Sequence, residues 1–578
     1  MTAKRNFKLS KSLKVLVFTA VFAAAAWISA GFVEDYFEVS KNLDIFATLF
    51  RELNTYYVDE TDPGKLIKKG IDDMLESLDP YTSYIPESER EDYRFMTTGQ
   101  YGGIGALIKQ KDDYVVIADP YEGFPAQKAD LRAGDVLLEI DGKSAKGKKV
   151  DEVSKVLKGQ PQTRVSVLVS REGEKNPISK TLTREEIKVK SVPYSGMIGK
   201  DIGYIRLTGF TENAGKEVQE ALVKLKEKNS IRALVFDLRG NPGGLLNEAV
   251  NVANVFISKG QEIVNTKGKV KEWDKTYNAL NTPIDTLIPL AVLVNSQSAS
   301  ASEIVSGTIQ DLDRGVIIGQ RTFGKGLVQT TRPLSYNAQL KVTTAKYYIP
   351  SGRCIQALDY SHRNEDGSVG KIPDSLISVF RTKNGKLVYD GGGVAPDVAL
   401  DPQKLSNISV SLLTKLLIFN YATLYRSRHQ SIRPPSEFRL GDADYNDFIA
   451  YASDKDYDYT TKSEKTLEDL KENLEKEKYF DNMKQEYETI LNKVKHNKKD
   501  DLLKNKDEIR QLLEEEIAAR YYFQNGRTEV MLAYDAEVKK AADVLKDSVL
   551  YNSIIDGSYA KKVNEGKADK SGKGNAGH

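Results

Sequence analysis

LAVLVNSQSASASEIVSGTIQDL, residues 290–312, joins an uncharged run of branched residues to a helix-like run through small polar residues. The segment LAVLVN predicts a buried strand that ends at Asn295, and helical spacing begins at about Ser300. In open α/β sheets, ligands bind beyond the carboxyl ends of the strands, where free N–H groups at a helix N-terminus can stabilise an oxyanion. Ser298, Ser300 and Ser302 therefore lie at a candidate reactive site, although serines at this position also serve as helix caps.

Strands and helices alternate on both sides of this stretch, from about Ile202 to Val398. The segments GYIRLTGF, ALVFDL and GVIIG predict further strands, and LLNEAVNVANVFI predicts a helix. Another helical stripe is formed by Ala214, Val218, Ala221, Leu222 and Leu225. Continuous apolar strands that alternate with amphipathic helices predict a largely parallel sheet covered on both faces.

A serine nucleophile needs a base. The chain has four histidines, none of them near this stretch: His362, His429, His496 and His578. A histidine triad is therefore poorly supported. Lys325 is the better candidate because Gly324 and Gly326 allow its backbone to approach closely. To act as a base, its pKa must fall from ~10.4 to about 7–8, which desolvation in an apolar pocket can supply. The alternative is an ordinary exposed loop lysine.

Other ligand motifs fail on particular residues. GQRTFGK, residues 319–325, matches the first seven positions of a Walker A loop, but Gly326 replaces the Ser/Thr that holds magnesium. Calcium-loop patterns at Asp442 and Asp454 lack glycine at position six and glutamate at position twelve. Cys354 is the single cysteine, so an intramolecular disulfide and a multi-cysteine zinc cluster are excluded. We expect no metal and no cofactor. Lys plus Arg total 84 against 82 for Asp plus Glu, which gives no sign of a nucleic-acid partner.

The N-terminus has the pattern of an export signal. Val15 to Val33 is an uncharged run that would span ~28 Å as a helix, close to the hydrocarbon thickness of a bilayer. Positive charges precede the run, and Glu34-Asp35 follows it, which orients the body of the protein outside the cytoplasm. A cleaved signal peptide is the alternative, because Ala24-Ala25-Ala26 resembles a cleavage site, and a buried globular helix is the third interpretation.

Changes in composition divide the chain into six segments. We predict a signal peptide or signal-anchor helix over 1–34, an N-terminal helical region over 35–95, and a small domain of strands over 96–190. An α/β core follows over 191–400, a helical domain over 401–560, in which Lys462 to Lys546 is rich in Glu, Lys and Leu and therefore predicted to be solvated, and a disordered tail over 561–578. In the N-terminal region, Leu43, Phe46, Leu49 and Leu53 form an apolar face that needs a partner, either the rest of the chain or another copy.

SASASEI followed by TFGKGLVQ resembles the C-terminal processing, or tail-specific, serine proteases. Further segments occur in that family's order: LDPYTSYI at 78–85, YGGIG at 101–105, AGDVLLEIDG at 133–142, DLRGNPGGLL at 237–246, YYIPSGRCIQ at 347–356 and GGVAPDV at 392–398. The resemblance covers roughly residues 40–400. It implies a crotonase/Clp-protease-like α/β peptidase core with an inserted α+β PDZ domain, between N-terminal helices and a C-terminal helical domain whose role is open.

The resemblance also implies roles for individual residues. Ser300 corresponds to the nucleophile, Lys325 to the general base, and Gln329 to the glutamine that orients this lysine. Gln329 would reach Lys325 only on a turned or helical path, because four extended residues span ~13 Å. The oxyanion hole would combine the N–H of Ala301 with one from the Gly243-Gly244 turn, and Gly244 is preferred. Pro242 restricts which N–H groups of that turn can donate.

The small domain over 96–190 resembles a PDZ module, which adds an extended peptide as a strand and holds its terminal carboxylate on a glycine-rich loop. The resemblance places that loop at Gly102, Gly103, Ile104 and Gly105, although these residues alone could form a simple turn. The expected function is a serine endopeptidase that processes exported proteins with exposed C-termini. The alternative is a non-enzymatic PDZ-type scaffold. We expect it on the periplasmic side of a bacterial cell envelope, anchored in the cytoplasmic membrane by one N-terminal helix, with a homodimer through its N- or C-terminal helices possible.

Overall fold

The computed structural model describes residues 37–494 and 498–560. The predicted signal or anchor segment and the predicted tail lie outside these residues. The chain forms two compact units, the first ending at Tyr84 and the second starting at Ile85. The first unit contains helices α1 (residues 37–56) and α2 (Pro63–Glu76), and strand β1 (Ser83–Ile85) lies at the boundary. The predicted apolar stripe lies on α1, where Leu43 and Phe46 are at least half exposed.

The second unit begins with helix α3 (Arg90–Thr98), which ends at Gly99 in a left-handed conformation. The small domain that follows is an antiparallel sheet with the strand order β3-β4-β5-β7-β8, in which β6 pairs with β5, while β2 pairs with β9. Its strands are β2 (Gln100–Gly103), β3 (Ala106–Lys111), β4 (Tyr114–Pro120), β5 (Val136–Ile140), β6 (Lys143–Ser144), β7 (Arg164–Ser170), β8 (Ile178–Thr183) and β9 (Glu185–Lys188). Its helices are α4 (Pro125–Lys128) and α5 (Val150–Leu157). The helix predicted from Val150 to Leu157 is confirmed.

A six-stranded sheet forms the centre of the second unit, with the strand order β10-β11-β12-β15-β16-β23. Its strands are β10 (Tyr194–Ile198), β11 (Ile202–Arg206), β12 (Ala233–Asp237), β15 (Leu290–Val294), β16 (Val316–Gly319) and β23 (Val398–Ala399). All neighbours from β11 to β23 are parallel, and β10 is antiparallel. Every residue of β12 and β15 is buried, as expected for a parallel sheet between two layers of helices.

One face of this sheet is covered by helices α6 (Ala214–Lys228), α7 (Leu246–Asn254) and α8 (Ala301–Asp311). A second sheet is antiparallel and contains β13 (Glu262–Gly268), β14 (Lys275–Asn278), β17 (Leu327–Pro333) and β18 (Gln339–Tyr348). Two hairpins follow: β19 (Leu358–Arg363) with β20 (Val369–Lys371), and β21 (Val379–Arg381) with β22 (Leu387–Tyr389). Strand β15 ends at Val294 and helix α8 starts at Ala301, so α8 begins beyond the carboxyl end of this strand, as the sequence predicts.

The rest of the described chain is helical. Its helices are α9 (Asn407–Thr414), α10 (Leu417–Arg428), α11 (Asp442–Ala452), α12 (Lys462–Lys476), α13 (Phe480–Val494), α14 (Lys498–Lys504), α15 (Lys506–Tyr534), α16 (Ala536–Lys546) and α17 (Ser548–Ile555). The prediction that Lys462 to Lys546 is solvated is wrong for the end of that segment. Val538, Ala541 and Val544 of α16 are completely buried against the second face of the central sheet, where Val235 and Leu293 lie. The predicted double cover of the sheet is thus confirmed, and the C-terminal segment supplies one of the two layers.

Within the described ranges, no single helix has the length and apolar composition needed to cross a membrane. Helices α9 and α10 reach that threshold only when taken together, and they meet at a bend of 63°.

Candidate active site

Ser300 lies at the N-terminus of α8 in a strained conformation, with φ 54° and ψ −113°. A residue other than glycine adopts such a conformation only where its surroundings enforce it, at a cost of about 1–3 kcal/mol. Two contacts hold it here. The N–H of Ser300 donates to Oε2 of Glu303 at 2.8 Å, and its carbonyl accepts from the hydroxyl of Tyr347 at 3.1 Å. Ser300 is the N-cap residue of α8, and its N–H bonds back to Glu303 as in a capping box, but its hydroxyl accepts no capping hydrogen bond.

The two neighbouring serines have structural roles. The hydroxyl of Ser298 donates to the carbonyl of Leu238, and that of Ser302 donates to the carbonyl of Asn241, both at 2.9 Å. Both serines are completely buried. Among the three serines of the motif, Ser300 is the one that lines an open cleft.

Lys325 lies in the loop between β16 and β17, and its side chain lines the same cleft as Ser300. The N–H of Lys325 donates to Oε2 of Glu303 at 2.8 Å, and the N–H of Gly324 donates to Oε1 at 2.7 Å. The N–H of Gly326 donates to Oε1 of Gln356 at 2.7 Å. The backbone of the lysine loop is therefore fixed at three consecutive residues.

The glycines beside Lys325 are required by close packing. Gly324 has φ 89°, and a Cβ at this position would lie 2.4 Å from Cβ of Ala357. A Cβ on Gly326 would lie 2.8 Å from the backbone nitrogen of Gln356. Larger residues would push the loop away from its supports, which explains the GKG pattern in physical terms.

Glu303 organises the site, and reasoning from the sequence missed it. Its carboxylate is completely buried and accepts four hydrogen bonds, from the N–H groups of Ser300, Gly324 and Lys325 and from the hydroxyl of Thr322. Burial raises its pKa to about 7, against the opposing effect of these donors. A usable signal existed, because S-x-x-E at a helix start is the capping-box pattern, in which glutamate bonds back to the N-cap N–H.

Gln329 lies on strand β17, which starts at Leu327, so the chain from Lys325 to Gln329 is not helical. Its Nε2 donates to the hydroxyl of Thr343 on β18 at 3.1 Å. The pairing register of β17 with β18 shifts between Val328 and Gln329. Such a bulge redirects side chains, and both Gln329 and Lys325 line the cleft. The orienting role of Gln329 stays a prediction.

The glycine turn beside Ser300 offers fewer oxyanion donors than its sequence suggests. The N–H of Gly243 donates to Oδ1 of Asn241 at 2.9 Å, so it is already engaged. A Cβ on Gly243 would lie 2.9 Å from both the Ala301 nitrogen and Cβ of Ser300, so the turn packs directly on the serine. Gly244 and Ala301 both line the cleft. Their N–H groups remain the predicted donors, and Gly243 has a packing role.

The cleft that contains these residues has a volume of about 570 Å³. Its apolar wall is formed by Phe210, Leu245, Leu246, Ile304, Leu327 and Val328. This volume lies in the range of ordinary ligand sites, about 300–1,000 Å³. A hydroxyl, an amine and backbone N–H groups that meet on one apolar cleft are the components needed for acyl transfer.

The predicted carboxylate loop of the small domain is split between two environments. Gly102 and Gly103 belong to β2 and pair with Glu186 and Glu185 of β9, whereas Ile104 and Gly105 form the link to β3. A Cβ on Gly102 would lie 2.1 Å from the carbonyl oxygen of Gly159, so packing alone demands this glycine. Ile104 and Gly105 are buried, and their carbonyls accept the N–H groups of Ala126 and Tyr121, both at 2.8 Å, so the carboxylate-binding role of this loop stays a prediction. In the described part of the chain, no cluster of three or more His, Cys, Asp or Glu residues could hold a metal ion.

Three family descriptions match successive parts of the chain. Residues 116–171 match the PDZ domain, residues 201–361 match peptidase family S41, and residues 408–545 match a probable PDZ-protease C-terminal helical domain. These matches follow the order of the domains in the structure.

Two bacterial proteases are similar to parts of this chain. The carboxy-terminal-processing protease of Bartonella bacilliformis is 39% identical over 321 residues, 55% of this chain and 73% of that protein. The probable CtpA-like serine protease of Staphylococcus aureus is 35% identical over 377 residues, 65% of this chain and 68% of that protein. Among solved structures, the photosystem II D1 C-terminal processing protease is 30% identical with a TM-score of 0.33, covering 62% of this chain and 93% of that one.

Proposed function

Because this chain belongs to the carboxy-terminal-processing serine proteases of peptidase family S41, we propose that Ser300 and Lys325 form its nucleophile and general base. The observation that carries the proposal is a pair of hydrogen bonds: Oε2 of Glu303 accepts the backbone N–H of Ser300 and that of Lys325, both at 2.8 Å. One buried carboxylate thus ties the start of α8 to the lysine loop. Both residues line one cleft.

In the proposed reaction, the neutral amine of Lys325 takes the proton of the Ser300 hydroxyl as Oγ attacks the scissile carbonyl. The oxyanion that forms accepts hydrogen bonds from the N–H groups of Ala301 and Gly244. Lys325 then gives its proton to the departing amine, which leaves an acyl ester on Ser300, and water hydrolyses this ester with the lysine again as base. Gln329 orients the lysine from the bulged end of β17.

The experiment is cleavage of an unstructured protein by the full chain and by Ser300→Ala and Lys325→Ala variants. We expect kcat to fall at least about a thousandfold in each, as for knockouts of other nucleophile–base pairs. Lys346→Ala is the matched control, because Lys346 is exposed on β18 and does not line the cleft. Full activity in Ser300→Ala or Lys325→Ala would refute the pair.

The substrates are proteins with exposed C-termini, captured by the PDZ domain. Support comes from the position of β3, which lies at the edge of its sheet beside helix α5, so an added strand has a place to pair. Amidation of the substrate's C-terminus should raise KM while kcat stays similar, because it removes the carboxylate that the loop holds. An unchanged KM would remove the capture role and leave the peptidase assignment intact.

The position in the cell and the assembly are also proposals. The uncharged run from Val15 to Val33 supports an N-terminal anchor in the cytoplasmic membrane and a body on the periplasmic side. Fractionation of cells that express the chain with and without residues 2–34 tests the anchor.

The exposed apolar stripe of α1 supports a homodimer. Sedimentation velocity of a Leu43→Glu, Phe46→Glu variant tests the dimer, and an unchanged mass would exclude this interface.

A further inference from the structure

The PDZ domain and the C-terminal helical domain are in direct contact. Nε2 of Gln524 on α15 donates to Oδ2 of Asp119 at the end of β4. Gly134 of the PDZ domain packs on α10 so closely that a Cβ there would lie 2.4 Å from Cγ2 of Thr423. Burial raises the pKa of Asp119, as expected for a carboxyl group enclosed by a neighbouring domain.

A stack of three side chains lies at the centre of this contact. Nζ of Lys109 on β3 lies 3.0 Å from the ring centre of Phe419 on α10, and Cζ of Arg520 on α15 lies 4.4 Å from the same centre. The Arg520 side chain is 2% exposed, and its ion pair with Glu516 measures 2.9 Å. Burial lowers the pKa of Lys109 to about 8. A cation over an aromatic face is attracted to the ring more strongly when it is desolvated than when it is exposed to water.

The backbone of α15 is bent where it meets the PDZ domain. Tyr522 and Phe523 have non-helical dihedrals, and Phe523 has φ 55° and ψ −154°. This break lies between Arg520, which contacts the Phe419 ring, and Gln524, which contacts Asp119 of the PDZ domain. An aromatic residue in such a conformation persists only where the surrounding contacts determine it.

The strand held by this stack is the edge strand of the PDZ sheet. Ile108 packs towards the PDZ core, so the next residue, Lys109, projects from the opposite face of β3. The contact with Phe419 therefore holds β3 on the face that points away from the PDZ core. An ordered edge strand loses less conformational entropy when it pairs with a peptide than a mobile one does.

We propose that Phe419, Thr423, Arg520 and Gln524 form a PDZ seat that orders β3 and thereby strengthens capture of the substrate's C-terminus. This inference rests on the proposed capture role of the PDZ domain. Seat and peptide act on the same strand, so their coupling is reciprocal, and peptide binding should in turn stabilise the seat.

The test uses the full chain carrying Ser300→Ala, so that a short fluorescent peptide with a free C-terminus binds without being cleaved. Phe419→Leu removes the aromatic face and keeps an apolar side chain, and we expect the Kd to rise about fivefold or more. Lys109→Met should also raise the Kd, and the double variant should be little worse than Phe419→Leu alone, because Phe419→Leu already removes the contact with Lys109. In the parent, peptide should slow amide hydrogen exchange in α10, and Lys109→Met should abolish that slowing.

Phe480→Leu is the control, because Phe480 also has a lysine over its ring, with Nζ of Lys471 5.5 Å from the ring centre, but this looser contact lies within the helical domain. We expect its Kd to equal that of the parent. An unchanged Kd in Phe419→Leu would refute the proposed seat. So would an amide hydrogen exchange rate in α10 that the peptide does not change. Loss of peptide binding in the parent itself would instead refute the capture role on which the seat depends.

Discussion

At the scale of single residues, the site depends on Glu303, whose two oxygens each accept two donors. In Glu303→Gln, the amide NH₂ replaces one of these acceptors and faces two donors. Hydrogen bonds to charged groups contribute about 1.5–3 kcal/mol each, so we expect kcat to fall at least about tenfold. Steady-state kinetics of the folded variant check this. Glu248→Gln is the control, because Glu248 also accepts a backbone N–H, from Gly215, outside the cleft. Equal kcat in Glu303→Gln and the parent would contradict the role of Glu303 in positioning Ser300 and the lysine loop.

The raised pKa of Glu303 predicts a pH effect on stability. Burial places this pKa at about 7, above the ordinary value of 4.5 that applies in the unfolded chain. Between these values, the folded chain binds a proton that the unfolded chain releases, so this group stabilises the fold at low pH and loses that contribution as pH rises through about 7. Relative to Glu303→Gln, the parent should gain free energy of unfolding as pH falls from about 7.5 to about 5.5. Urea unfolding at several pH values measures this, and a constant difference would contradict it.

Tyr347 contacts both halves of the site. Its hydroxyl donates to the carbonyl of Ser300 at 3.1 Å, and its N–H donates to the carbonyl of Gly326 at 3.0 Å. Tyr347→Phe removes the first contact and keeps the ring, so we expect kcat to fall about threefold to tenfold at unchanged KM, in line with about 1 kcal/mol for one hydrogen bond. Tyr348→Phe, on the opposite face of β18, should behave like the parent. Identical kinetics in both variants would remove the positioning role.

Residue types and spacing were sufficient to predict Ser300 and Lys325 as candidates, because each lies inside a local pattern. Glu303 and Tyr347 could not be assigned the same way. The reach of Glu303 to the lysine loop and of Tyr347 to Ser300 depends on how β17 and β18 pack beside α8, which no local pattern encodes. The engagement of the Gly243 N–H by Asn241 is likewise a result of the turn's geometry.

At the scale of elements, helix α16 is the clearest departure from expectation. Its composition predicts a helix, but apolar spacing alone does not say which surface the helix covers. Arg239, just after β12, forms ion pairs with Asp535 and Glu537 at 2.8 and 2.6 Å. These contacts place the start of α16 on the end of the central sheet, close to the glycine turn of the site.

Truncation on α16 should therefore destabilise the peptidase core. Val544→Ala removes two methyl groups from a completely buried position, and we expect the free energy of unfolding to fall by about 2 kcal/mol. Lys546→Ala, at an exposed position in the same helix, should change it by less than about 0.5 kcal/mol. Chemical denaturation measures both values. Equal stability of the two variants would show that α16 is not part of the core.

At the scale of the whole molecule, the parallel sheet, the PDZ domain and the helical C-terminal domain were predictable from periodicity and the family resemblance. The seating of the PDZ domain on α10 and α15 was not, because it joins residues such as Lys109 and Phe419 that are far apart in sequence. The described structure thus joins the PDZ domain, the helical C-terminal domain and the central sheet through contacts between domains that no single motif predicts.

The most direct test of the account is the site of reaction with a serine-directed fluorophosphonate, mapped by mass spectrometry of the full chain. We predict modification of Ser300, its loss in Lys325→Ala, and its retention in Lys346→Ala, because the proposed mechanism assigns activation of this hydroxyl to Lys325. Modification at Ser298 or Ser302 instead, or undiminished modification of Ser300 in Lys325→Ala, would contradict the central claim.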